Sequence, residues 1–275
     1  MEKKPVGVFD SGVGGLTVLR ELRARLPRED FLYLADQAHA PYGPRSLEEV
    51  RRFGLRIADF LRARGAKLIV VACNTISAAA LQPLRAAYPD VPIVGMEPAV
   101  KPAAAGSRSG AIGVIATETT LQGDLFAGAV DRYGRDVRVI TRTVPGLVER
   151  IEAGETEGPA IEAMLRERLR PLREAGIDEL VLGCTHYPFA LEALRKVFGP
   201  RVKILDPAPA VARQAEKILR ERSLLAEGTN GGDAIAFTTG DPAALRRFLR
   251  ETYGGEFPVR PARWTSAGIL EIASP

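Results

Sequence analysis

Short apolar runs alternate with amphipathic stretches over most of the chain. VGVFD is followed by LTVLRELRARL, FLYLAD by LEEVRRFGLRIADFLRARG, and KLIVVAC by ISAAALQPLRAAY, before PIVGM closes the series. The alternation continues through AIGVIA, VRVIT, a long helical stretch running through IEAMLRERLRPLREAG, then ELVLGC and VKILD. β-Rich runs separated by helix-periodic segments predict βαβ units, and hence an α/β fold with a parallel sheet covered by helices on both faces.

The pattern echoes itself. GVFDSGVGGLTVL resembles GVIATETTLQGDL, and LIVVACNTISAAALQPLR resembles ELVLGCTHYPFALEALR. In both halves the first strand leads the cysteine strand by about 70 residues, which predicts two similar α/β domains facing each other. Pro98, Pro102 and AAAGSRSG punctuate the first crossing, and DPAPA the second. The expected division is residues 1–96 with 207–275 as the domain of Cys73, and 97–206 as the domain of Cys184. The tail AIAFTTGDPAALRRFLRETY reads as one more strand and helix returning to the first domain.

Composition narrows the function. The 275 residues are 46% hydrophobic, enough for a real core. The formal charge of +4 comes from interspersed Arg and Glu, as in RERLRPLREAG, which reads as solvated helix faces and argues against nucleic acid as a partner. MEKKPVGVFDSGVGG has no apolar leader core, and no stretch approaches a membrane span. A cytoplasmic protein with reduced thiols is expected.

In open α/β sheets ligands sit at the carboxyl ends of the strands. The polar residues there are Asp10 and Ser11, Asp36, Cys73 with Asn74 and Thr75, Thr117, and Cys184 with Thr185 and His186. A thiol at a helix start is expected to have a depressed pKa, and the free N–H groups with the Thr75 and Thr185 hydroxyls can hold a carboxylate. A cysteine ending a buried strand is often inert packing, but CNT and CTH repeat the same polar context after two apolar strands.

DSGVGGL is a poor dinucleotide signal, because Thr17 replaces the third glycine and Asp10 would face the pyrophosphate. It reads otherwise as a tight strand-to-helix turn. His186, two residues from Cys184, can assist proton transfer there, with Glu152 or Glu149 to orient it. A zinc site of Cys73, Cys184, His39 and His186 matches no compact ligand spacing, so no metal is expected. PYG, Pro41 to Gly43, is a turn whose N–H groups and Tyr42 hydroxyl can line a polar site.

These residues resemble the glutamate racemase family, within the wider group of cofactor-independent aspartate and glutamate racemases. The resemblance lies in FDSGVGGLTVL, PYGPRS, ACNTISA, TETT, LGCTHYP and TTGD, which span nearly the whole chain. It implies a two-domain pseudo-symmetric fold with the site in the crevice, and interconversion of L- and D-glutamate with no cofactor, supplying D-glutamate for peptidoglycan. It further implies that Cys73 works on D-glutamate, assisted by Asp10, and Cys184 on L-glutamate, assisted by His186 with Glu152. Ala35 and Gln37 depart from the glycine and threonine that commonly flank the aspartate in this family, which weakens the carry-over at Asp36.

The chemistry agrees. Racemisation takes a proton from one face of the α-carbon and returns one to the other, so it needs two acid/base groups on opposite sides. Substrate ammonium and carboxylates would be held by Asp10, Ser11, Tyr42, Gly43, Asn74, Thr75, Thr117, Thr120, Thr185 and His186. None of the lysines sits in a strand-end motif, as a pyridoxal enzyme would require. A racemase for aspartate and a non-catalytic metabolite-binding protein are the alternatives, and a homodimer is a further expectation.

Overall fold

The computed structural model describes residues 4–227 and 231–273. Residues 1–3 and 274–275, the outer ends of the expected first domain, lie outside the described residues. In chain order the strands are β1 (Val6–Asp10), β2 (Phe31–Ala35), β3 (Leu68–Val71), β4 (Ile93–Gly95), β5 (Ala111–Ala116), β6 (Arg138–Arg142), β7 (Glu179–Gly183), β8 (Lys203–Leu205), β9 (Ala234–Thr238), β10 (Val259–Trp264) and β11 (Leu270–Ile272).

Among the described residues these strands form two sheets, ordered β11-β10-β9-β2-β1-β3-β4 and β6-β5-β7-β8. The order β2-β1-β3-β4 of the first half recurs as β6-β5-β7-β8 in the second, so the sequence echo is a repeat of topology. The pairing is parallel except between β10 and β11. Strands β1, β3, β5 and β7 are buried at every residue, as expected of continuous apolar runs in sheets covered on both faces.

Helix Leu47–Arg62 starts at Ser46 with a reciprocal capping box to Glu49 and buries Val50, Phe53, Ile57 and Leu61 along one face. After β8 the helix Ala208–Glu221 packs on Leu16–Arg25, with Arg25 Nη1 2.6 Å from Glu216 Oε2, so the chain returns to the first sheet.

The tail segment AIAFTTGDPAALRRFLRETY holds one strand, β9, and helix Pro242–Phe248, as its pattern predicts, and β9 pairs with β2 of the first sheet. Strands β10 and β11 follow it in a stretch where Arg260, Pro261 and Arg263 break up any apolar run. Two expectations need correction. The long helical stretch before β7 is three helices, Leu147–Glu152, Pro159–Arg168 and Arg170–Glu174; Gly154 and Gly158 adopt positive φ in the first break, and Pro171 falls near the second. Cys184 does not start an α-helix: a turn at 184–186 and one 3-10 turn, Tyr187–Ala190, precede helix Leu191–Phe198.

Candidate active site

A cavity of about 220 Å³ lies where the carboxyl ends of both sheets meet. The first half contributes Ser11 after β1, Tyr42 and Gly43 from the loop after β2, and Cys73, Asn74 and Thr75 after β3. The second contributes Thr117 after β5, a segment from Thr143 to Glu149 after β6, and Cys184, Thr185 and His186 after β7. Each sheet thus presents one thiol to a shared space, and both cysteines are free and buried.

Asp10, Thr120 and Glu152 stand behind this lining. Asp10 is fully buried at the end of β1, where its Oδ2 accepts the N–H groups of Gly12 at 3.2 Å and Gly15 at 2.9 Å. The Thr185 hydroxyl donates across the two halves to Asp10 Oδ1 at 3.3 Å. The Cys73 thiol donates to Ser11 Oγ at 3.9 Å and feels the charge of the Asp10 carboxylate. Thr75, Thr117 and Thr120 form a hydroxyl cluster with Oγ1 separations of 2.9, 3.3 and 2.8 Å.

On the other side His186 bridges sulfur and carboxylate. Its Nδ1 lies 3.8 Å from Cys184 Sγ and its Nε2 lies 2.6 Å from Glu152 Oε1. The same Glu152 oxygen accepts the Val13 N–H at 2.7 Å, and Oε2 accepts Gln37 Nε2 at 2.7 Å. Glu149 lines the cavity instead. The glycines of DSGVGG serve this approach: a Cβ on Gly12 would fall 1.8 Å from Glu152 Oε1, and one on Gly14 2.4 Å from His186 Nδ1.

The loop carrying Tyr42 is anchored from several directions. The Tyr42 hydroxyl donates to Asp36 Oδ2, and Thr239 Oγ1 and Trp264 Nε1 each donate to Asp36 Oδ1 at 2.7 Å. Thr119 from the second half donates to the Gly43 carbonyl at 2.6 Å. His39 is engaged with Asp36 at 2.9 Å and stacks on Phe53. Among the described residues no group of three or more His, Cys, Asp or Glu side chains could hold a metal ion.

Charge is distributed unequally. Burial pushes the Cys73 thiol well above its usual pKa, and the Asp10 carboxylate adds to the effect. The expected depression at a helix start therefore fails at Cys73, although it caps helix Asn74–Ala87. Burial also raises Asp10, against opposing pulls from His186, the Gly15 N–H and the Cys73 thiol. Burial opposes an imidazolium at His186, yet contacts with Cys184 and Glu152 outweigh it and hold its pKa well above the ordinary value. Burial would raise Glu152, but the donors His186, Gln37 and Val13 lower it.

Sequence reasoning missed the wall from Thr143 to Val148 and the role of Gln37, and it offered Glu149 as a partner of His186 where the structure has it lining the cavity. The first followed the strand-end rule, since VPG after VRVIT marks a turn. The second had no signal beyond being an unusual residue beside Asp36.

Two thiols reaching one cavity from like halves can serve opposite faces of a single carbon, the chemistry of a racemase or epimerase. Residues 14–215 match a family model described as Asp/Glu/Hydantoin racemase. The glutamate racemase of Pseudomonas paraeruginosa is 51% identical over 255 residues, spanning 93% of this chain and 96% of that one. A crystal structure of a glutamate racemase isoform from Bacillus anthracis is similar with a TM-score of 0.87 and 33% identity, covering 98% of this chain and 100% of that chain. The Francisella tularensis glutamate racemase, crystallised with D-glutamate, gives a TM-score of 0.83 at 30% identity, covering 96% of this chain and 98% of that chain. The chain belongs to the Asp/Glu/Hydantoin racemase family.

Proposed function

We propose that this protein is a glutamate racemase that uses Cys73 and Cys184 as its two acid/base groups, without a cofactor, and supplies D-glutamate for peptidoglycan in the cytoplasm. One observation carries the reading: a single cavity receives one cysteine from each half. The domain division that suits it is 1–96 with 207–275 against 97–206.

In the L to D direction a Cys184 thiolate takes the α-proton, and the Cys73 thiol delivers a proton to the opposite face. A His186 imidazolium, held by Glu152, stabilises negative charge on Cys184. In reverse, Cys73 passes its proton toward the buried Asp10 carboxylate, whose charge it feels, and takes the α-proton as thiolate while the Cys184 thiol delivers a proton to the opposite face. The thiols then exchange protons with solvent to reset. Substrate carboxylates suit the hydroxyls of Ser11, Thr75, Thr117 and Thr185, the Tyr42 and Gly43 loop, and the Asn74 amide, whose Nδ2 is buried without a partner among the described residues.

The test is circular dichroism of L- and D-glutamate, and separately of aspartate, incubated with protein and no added cofactor. Loss of optical activity from both glutamate enantiomers is expected, and persistence would overturn the reading. Cys73→Ser and Cys184→Ser should each lower racemisation by roughly 100-fold or more. Cys73→Ser should still exchange the α-proton of L-glutamate with deuterium, and Cys184→Ser that of D-glutamate.

A further inference from the structure

We propose that Gln37, oriented by Thr238, is a positioning residue that aims the Glu152 carboxylate at His186 and so sets the protonation of the Cys184 side of the site. The proposal rests on the reading of Glu152 and His186 as the support of Cys184.

The geometry is a chain of hydrogen bonds with one consistent direction. The Gly240 N–H donates to Thr238 Oγ1 at 2.9 Å, leaving the hydroxyl hydrogen for Gln37 Oε1, 2.7 Å away. Gln37 Nε2 then donates to Glu152 Oε2 at 2.7 Å. An ionised carboxylate only accepts, so a flipped amide would set oxygen against oxygen there and leave the Thr238 hydroxyl facing the amide NH2. Both ends of the side chain therefore select the same amide orientation.

The consequence passes through Glu152. His186 and Val13 both use Oε1, so Gln37 is the partner that fixes the second oxygen. A donor to the charged form favours that form, and a firmly ionised Glu152 favours the imidazolium. Cys184 faces His186 directly, the buried Asp10 feels both charges of the pair, and the buried Tyr33 feels that of Glu152. On its outer side Glu152 borders a cleft with Glu155, Glu157, Arg247 and Glu251. The TTGD segment thereby gains a use that its place at the far end of the sequence does not suggest.

The test combines kinetics with a direct view of the imidazole. Enantiomers have equal free energy, so kcat/KM is the same in both directions for every variant, and the pH profile of that quantity is the informative measurement. Gln37→Met, which keeps length and removes both polar atoms, should lower kcat/KM about ten-fold and move its alkaline limb to lower pH. Thr238→Val should shift the limb the same way by less. In a Glu152→Gln background Gln37→Met should add nothing, whereas a purely structural role would be additive.

The chain has two histidines, so imidazole 15N spectra with His186→Asn for assignment read His186 itself. Its titration should move to lower pH in Gln37→Met, and in Thr238→Val if the first variant fails to fold. If Glu152→Gln is impaired while Gln37→Met and Thr238→Val match the native profile and titration, the positioning role is overturned alone. If Glu152→Gln is itself indistinguishable from native, the reading of the pair falls and takes this proposal with it.

Discussion

His186 Nε2 and Glu152 Oε1 lie 2.6 Å apart, with the histidine almost fully buried and the carboxylate 17% exposed. The pair has a defined pH window. A raised histidine contributes stability that is complete below its unfolded pKa, about 6.5, and lost as pH rises through its higher folded value. A lowered glutamate contributes stability that is complete above its unfolded pKa, about 4.3, and lost as pH falls through its lower folded value. Both contributions are therefore complete between these unfolded values and decline on either side. Glu152→Gln should cost roughly 3 kcal/mol inside that window and less at alkaline pH, read from urea unfolding of native and variant across pH.

Gly12 and Gly128 make a contrasting pair. A methyl at Gly12 meets a carboxylate oxygen that His186 and Val13 both hold in place, so Gly12→Ala should cost about 1–3 kcal/mol and reduce racemisation sharply by displacing Glu152. At Gly128, inside helix Asp124–Tyr133, the nearest atom to a new Cβ is Arg132 Nη2 at 3.6 Å. Gly128→Ala should stabilise by about 0.5–1 kcal/mol with kcat unchanged. Denaturant unfolding and the dichroism assay separate the two.

Asn74 lines the cavity with its amide nitrogen buried and unpartnered among the described residues. An unpaired buried donor contributes nothing to folding, so removing it leaves no lost bond to count. Asn74→Ala should lower kcat/KM by about 10-fold or more while leaving the unfolding midpoint level or slightly raised. A large drop in midpoint would show that the amide serves the fold.

Lys67 and Glu29 form an ion pair far from the cavity, 8% and 2% exposed, and Glu29 also accepts the Ala226 N–H at 2.6 Å. Lys67→Met leaves a buried carboxylate without its counter-charge and should cost about 3 kcal/mol. Adding Glu29→Gln should recover most of that loss. Turnover by the folded fraction should be native in both, as measured by racemisation at a temperature well below unfolding.

How far the molecule was legible in its sequence depended on what held each part together. Strands β1, β3, β5 and β7 are buried throughout, so their apolar runs announce themselves. Cys73 and Cys184 were legible because each follows such a run directly. Strand β10 was not: Arg260, Pro261 and Arg263 interrupt it, and it is held by its neighbours β9 and β11. The state of the Cys73 thiol also escaped, because a helix start predicts one direction and burial beside Asp10 imposes the other. Gln37 was invisible as a participant because its partners, Glu152 and Thr238, are 115 and 201 residues away.

The insertion of β9 between β2 and β10 also orders events in time. A chain emerges from the ribosome amino end first, so both thiols, Asp10, Glu152 and His186 are translated before Thr238 and Thr239. Until those threonines arrive, β2 has an open edge, and Asp36 and Gln37 lack the hydroxyls that fix them. The hydrogen-bond network that fixes Asp36 and Gln37 is therefore closed only by the last part of the chain to be made.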